Sequence, residues 1–110
     1  MAAADPRIRQ IKIKTGVVKR LNKEKAMYEK EVVDQDEKIK KMEADGKDEY
    51  DIKKQKEVLQ ESKQMIPDCK KRLATAHSEL TTMVENEKDL AETEEYKAAQ
   101  EILAEVKLED

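Results

Sequence analysis

Phenylalanine and tryptophan are absent, and three tyrosines are the only aromatic residues in the 110-residue chain. A folded core must therefore be assembled from aliphatic side chains, without the large rings that usually dominate small domains. There is one cysteine, Cys69, so an internal disulfide is excluded. There is one histidine, His77, with no second ligand at helical spacing, which removes the material for a metal site and leaves a surface or boundary residue. The two glycines, Gly16 and Gly46, stand too far apart to form a phosphate-cradling loop. No stretch approaches the ~20 apolar residues needed to span a bilayer. Residues 1–4 run directly into Asp5, Pro6 and charged side chains, which is not the apolar segment of a signal peptide. These absences predict a soluble intracellular protein with Cys69 as a buried, reduced thiol, no cofactor, no metal and no catalytic residue. The many carboxylates do not change that expectation, because on exposed helix faces they lack the burial that tunes a group for proton transfer.

What the chain does have is charge, at 45% of residues, and a strict hydrophobic period. High charge alone is compatible with disorder. Against that, Ile52, Gln55, Leu59, Ser62, Ile66, Cys69, Leu73, Ala76, Leu80 and Met83 follow one another at alternating steps of three and four, and eight of the ten are apolar. This is the seam of a helix packed along its length against other helices. An earlier stripe runs through Ile8, Ile11, Val18, Leu21, Tyr28, Val32, Ile39 and Met42, with Thr15, Lys25 and Gln35 in the intervening seam positions. A third stripe comprises Leu90, Tyr96, Ala99, Leu103 and Val106, with Ile102 alongside.

Punctuation places the boundaries. Asp5 and Pro6 read as an N-cap and a proline at the first helical position. The run from Ala44 to Asp48 is a break, with Gly46 suited to a left-handed helix end and Asp48 to the next cap. Asn86 or Asp89 is a candidate cap for the third helix, Asp89 with Glu92 in a capping-box spacing. Pro67 falls inside the second seam without a slip in register, which predicts one kinked helix and not two. The expected fold is all-α: an antiparallel up-down-up three-helix bundle, an elongated rod with its middle helix kinked at Pro67. The whole of residues 1–110 is expected to form one domain, with helices at about 6–44, 48–84 and 88–107.

Charge is segregated along the chain. Residues 1–25 carry eight basic side chains against two acidic, a net of +6, whereas residues 85–110 carry ten acidic against three basic, a net of -7. Basic residues in a first turn oppose the helix dipole, so Arg7 and Arg9 gain nothing locally and are expected to pair with the acidic third segment. The remaining basic residues form a solvated face or recognise an acidic partner. Nucleic acid is not the expected partner, since the net charge is -3 and no aromatic residue lies among residues 7–25 to stack on bases. A membrane surface is not expected either, because the apolar face of the basic helix is needed for the bundle. The residues by themselves thus describe a helical module that works by presenting its faces, which a structural or trafficking three-helix module would also do.

The stretch Asp5-Pro6-Arg7 followed by Arg9-Gln10-Ile11-Lys12-Ile13-Lys14-Thr15-Gly16-Val17-Val18-Lys19-Arg20-Leu21 resembles the start of the tubulin-specific chaperone A family, also called tubulin-folding cofactor A. The likeness continues through Met27 to Glu31, Tyr50 to Gln55, Leu59 to Ser62, Met65 to Cys69, Glu85 to Leu90 and Glu94 to Lys97, and ends near Val106 to Glu109. The resemblance implies a three-helix bundle that captures β-tubulin after its release from the cytosolic chaperonin. It further implies hand-over towards α/β-tubulin heterodimer assembly with other tubulin-folding cofactors, in the cytoplasm and in association with the cytoskeleton, without nucleotide hydrolysis. A monomer is expected. With tubulin as the partner, the basic residues Arg9, Lys12, Lys19, Arg20 and Lys23 become the candidate binding residues, steering an acidic protein to the first helix.

Overall fold

The computed structural model describes residues 5–108, and every regular element among them is helical. In chain order these are α1 (Pro6–Ala44), α2 (Glu49–Asn86), a single 3-10 turn (Lys88–Leu90) and α3 (Glu94–Glu105).

Local chemistry accounts for most of the boundaries. The Asp5 carboxylate accepts the Arg7 backbone N–H at 3.0 Å, and Pro6 takes the first helical position, where its missing N–H is not needed. At the other end of α1, Gly46 adopts φ 69°. The Lys47 N–H then reaches the Met42 carbonyl at 3.0 Å and the Gly46 N–H that of Glu43 at 3.2 Å. This pair of bonds is a Schellman closure, and the left-handed backbone it needs suits glycine. Asp48 opens α2 by accepting the Tyr50 N–H at 2.9 Å.

The third helix starts later than the sequence suggested. Asn86 is the last residue of α2 and Asp89 lies within the 3-10 turn, so neither caps α3. Thr93 does: its hydroxyl oxygen accepts the Tyr96 N–H at 3.3 Å and donates to the Leu90 carbonyl at 2.7 Å. One hydroxyl therefore joins the 3-10 turn to the helix.

The chain forms two compact units. The described part of the first comprises residues 5–23 and 70–108. Its core joins Ile11, Val18 and Leu21 of α1 to Leu73, Ala76, Leu80 and Val84 of α2, and to Leu90, Tyr96, Ala99, Ile102 and Val106. Ile11, Val18, Leu73 and Leu80 are sealed from solvent, and burying such a side chain contributes about 1.5–3 kcal/mol each. Tyr96, the one aromatic ring in this core, satisfies its hydroxyl by donating to the Val84 carbonyl at 2.9 Å. His77 is half-buried, with Nε2 3.3 Å from the Leu103 carbonyl, so that nitrogen carries the proton.

The second unit, Glu24–Cys69, is built from the later part of α1 and the earlier part of α2 around the Gly46 turn. It buries less: Ile39, Leu59 and Cys69, with Lys25 only 6% exposed in the seam position where it was expected. Gln35 and Gln55, the polar members of the two seams, meet through a hydrogen bond from Gln35 Nε2 to Gln55 Oε1. Pro67 is exposed inside α2, which continues on both sides of it.

Candidate partner-binding surface

At about 100° of rotation per residue, Arg9, Lys12, Lys19, Arg20 and Lys23 fall within an arc of α1 about 100° wide, roughly opposite the buried line of Ile11, Val18 and Leu21. All five are exposed. Between Asp5 and Glu24 the sequence has no acidic residue, so the arc itself is all basic; Glu24 follows Lys23 on the same helix, and both Glu24 and Arg20 interact within the chain.

The other basic residues of this segment behave differently because they lie nearer the core side. Arg7 holds the Asp5 carboxylate with Nη2 at 2.8 Å and also contacts Glu87 at 2.6 Å and Asp89 at 3.0 Å. Hydrogen bonding from Arg7 pulls the Asp5 carboxyl below its ordinary value, and the three acids together hold the Arg7 guanidinium further into its charged form. Lys14 lies 3.5 Å from Glu79. The expected pairing of the basic segment with the acidic one is thus made by Arg7, to the turn ahead of α3 and not to α3 itself. Arg9 takes no part in it. Among the described residues, no ion pair engages Arg9, Lys12, Lys19 or Lys23, while Arg20 also interacts within the chain.

The arc is not uniformly polar. Ile13 is 56% exposed at its edge, and Gly16 interrupts the row of side chains. Together with Asp5, Ile8, Arg9, Lys12 and Glu95 they line an open depression of about 670 Å³. The sequence held a signal for this pair: Ile13 is two positions off the apolar seam, where a core residue does not belong. A separate open depression of about 530 Å³ lies in the second unit, lined by Glu43, Lys47, Glu49, Ile52, Lys53 and Lys56. Both are open to solvent, and both carry charged side chains of either sign in their lining. Among the described residues no three His, Cys, Asp or Glu side chains are grouped to hold a metal ion, and no helix is long and apolar enough to cross a membrane.

The family model for tubulin binding cofactor A matches residues 6–103 of this chain. Tubulin-specific chaperone A of Gallus gallus is 67% identical over 106 residues, covering 96% of this chain and 98% of that protein, and its Homo sapiens counterpart is 65% identical with the same coverage. Two solved structures share the fold. The human tubulin chaperone cofactor A matches with a TM-score of 0.81 at 62% identity, over 94% of this chain and 100% of that one. Tubulin folding cofactor A from Arabidopsis thaliana matches with a TM-score of 0.81 at 40% identity, over 91% of this chain and 94% of that one.

Proposed function

The chain belongs to the tubulin binding cofactor A family, and from that premise we propose that it captures β-tubulin folding intermediates released from the cytosolic chaperonin, without ATP, and hands them on for α/β-tubulin heterodimer assembly with other tubulin-folding cofactors. The observation that carries the reading is the family match over nearly the full length, joined to an exposed basic arc on α1. Arg9, Lys12, Lys19, Arg20 and Lys23 are the contact residues of this proposal.

The mechanism needs no fuel. Binding an unpartnered β-tubulin lowers the free concentration of an aggregation-prone species by mass action, and release follows when a tighter complex forms downstream. Exposed charge suits such a carrier, because it speeds encounter more than it prolongs the complex. The carrier is a cytoplasmic, cytoskeleton-associated monomer. Its fold is a single domain of residues 1–110, an up-down-up bundle with α2 kinked at Pro67. In support of the antiparallel α1 and α2, contacts of the first unit that advance along α1 retreat along the later chain: Arg7 with Glu87, just past α2, then Lys14 with Glu79 on α2. The test is size-exclusion chromatography of the protein with purified β-tubulin, with and without ATP. Co-elution at one-to-one stoichiometry in both conditions is expected; absence of a complex, or dependence on ATP, overturns the reading.

A further inference from the structure

Gly16 sits in the interior of α1, at an exposed position, with an ordinary helical backbone: among the described glycines only Gly46 has positive φ. A Cβ placed there would meet nothing within 4 Å outside the helix's own backbone. The usual internal reasons for a mid-helix glycine, a left-handed conformation or the close approach of a neighbouring element of the same chain, are therefore both missing. Glycine weakens a helix relative to alanine. The missing side chain is unused inside the protein, and it leaves a gap in the row formed by Arg9, Lys12 and Ile13 on one side and Lys19, Arg20 and Lys23 on the other.

We propose that this gap is the close-approach point for an acidic amphipathic helix of the tubulin partner, seated across the outer face of α1 in the depression at Gly16. Three features fit that occupant. The backbone at Gly16 is bare, so another helix can come nearer there than over any side chain. Ile13, more than half exposed at the edge of the depression, offers the apolar contact that an amphipathic helix needs. Cations stand on both sides of the gap, whereas the acids at its rim are Glu95 and Asp5, and the Asp5 carboxylate is already taken up by Arg7. An acidic ligand is therefore matched in charge, and a basic one is not.

This inference rests on the tubulin-capture reading and adds a docking geometry to it. Charge in the arc governs how fast the partner arrives; the gap governs how well it seats, and so how long it stays. The experiment measures purified β-tubulin binding to the full-length protein, its Gly16→Ala and Gly16→Leu variants and the triple charge reversal Lys19→Glu, Arg20→Glu, Lys23→Glu, with thermal melting of each. Gly16→Ala is expected to melt a few degrees higher and yet release β-tubulin at least about fivefold faster, Gly16→Leu faster still, with association rates near wild type. A stabilised Gly16→Ala protein that holds β-tubulin as long as wild type overturns the docking proposal. If the charge reversal still slows association in that case, the capture reading stands without it. A wild-type protein that does not bind β-tubulin ends both. A change in self-association of the Gly16 variants, with tubulin binding unaltered, assigns the gap to a second copy of the chain and also overturns the proposal.

Discussion

The guanidinium of Arg7 lies 2.6 Å from the Glu87 carboxylate, so the first turn of α1 is tied to the residue that follows α2. The same guanidinium spans Asp5 and Asp89, which makes it the centre of a small ion network at the start of the chain's ordered helices. Partial exposure limits what such a network contributes. Arg7→Ala is expected to lower the melting midpoint by no more than a few degrees, with the loss shrinking in high salt.

The pH dependence of that network has a definite sign. Asp5 is held below its ordinary value of 3.8 by hydrogen bonds from Arg7, so its contribution is complete above that value and disappears as pH falls through the lower folded one. The difference in melting midpoint between wild type and Asp5→Asn should therefore be present at neutral pH and be lost on acidification below the ordinary carboxylate range. A difference that grows on acidification would contradict the pairing.

Gln35 and Gln55 meet as a polar pair between the two seams. Replacing one alone leaves a half-buried amide without its partner, at a cost of about 1 kcal/mol. Gln35→Leu combined with Gln55→Leu removes both polar groups and should recover that loss. Denaturant unfolding of the four proteins checks this as a double-mutant cycle, with an expected coupling of about 1 kcal/mol.

Much of this arrangement was legible in the sequence because helix periodicity is a direct record of burial. No member of the α1 or α2 seam is exposed, and Asp5, Gly46 and Asp48 act where their side-chain chemistry places them. The start of α3 was not legible. Asp89 and Glu92 have the capping-box spacing, yet Asp89 is drawn into the Arg7 network and the cap passes to Thr93, whose position is fixed by Leu90 and Tyr96 entering the core. A local signal lost to a tertiary one. The candidate surface was half legible: the basic residues stand out by charge, but which of them pair across to the later chain depends on helix rotation, and that sets Arg7 and Lys14, with their bonds to Glu87, Asp89 and Glu79, on the core side of the arc.

Tyr96 offers a test of how α3 is held. Its hydroxyl bonds the Val84 carbonyl while its ring fills a core that has no other aromatic residue. Tyr96→Phe should cost about 1 kcal/mol by removing a single hydrogen bond. Tyr96→Ala should cost about 3–5 kcal/mol and release α3 from the first unit, which hydrogen exchange of residues 94–105 would register.

Pro67 lacks the N–H that would otherwise bond the Lys63 carbonyl, and it stands at an exposed position inside α2. Pro67→Ala is expected to keep the fold and raise stability, by less than the ~3 kcal/mol of an isolated helix. Collapse of the bundle would show that the proline ends a helix; loss of tubulin binding in a stabilised protein would show that a kink shapes the binding face.

The basic arc makes the sharpest kinetic prediction. Lys19, Arg20 and Lys23 are exposed, so reversing all three to Glu should leave helix content unchanged by circular dichroism. Their field reaches solvent, where it is screened over ~8 Å at physiological ionic strength. Association with β-tubulin should then slow by about tenfold at low salt and by much less at high salt, while dissociation changes little. Stopped-flow measurement across a salt series separates the two rates. An association rate and salt slope equal to wild type would reduce the arc to a solvated face and move the contact to α2 or α3.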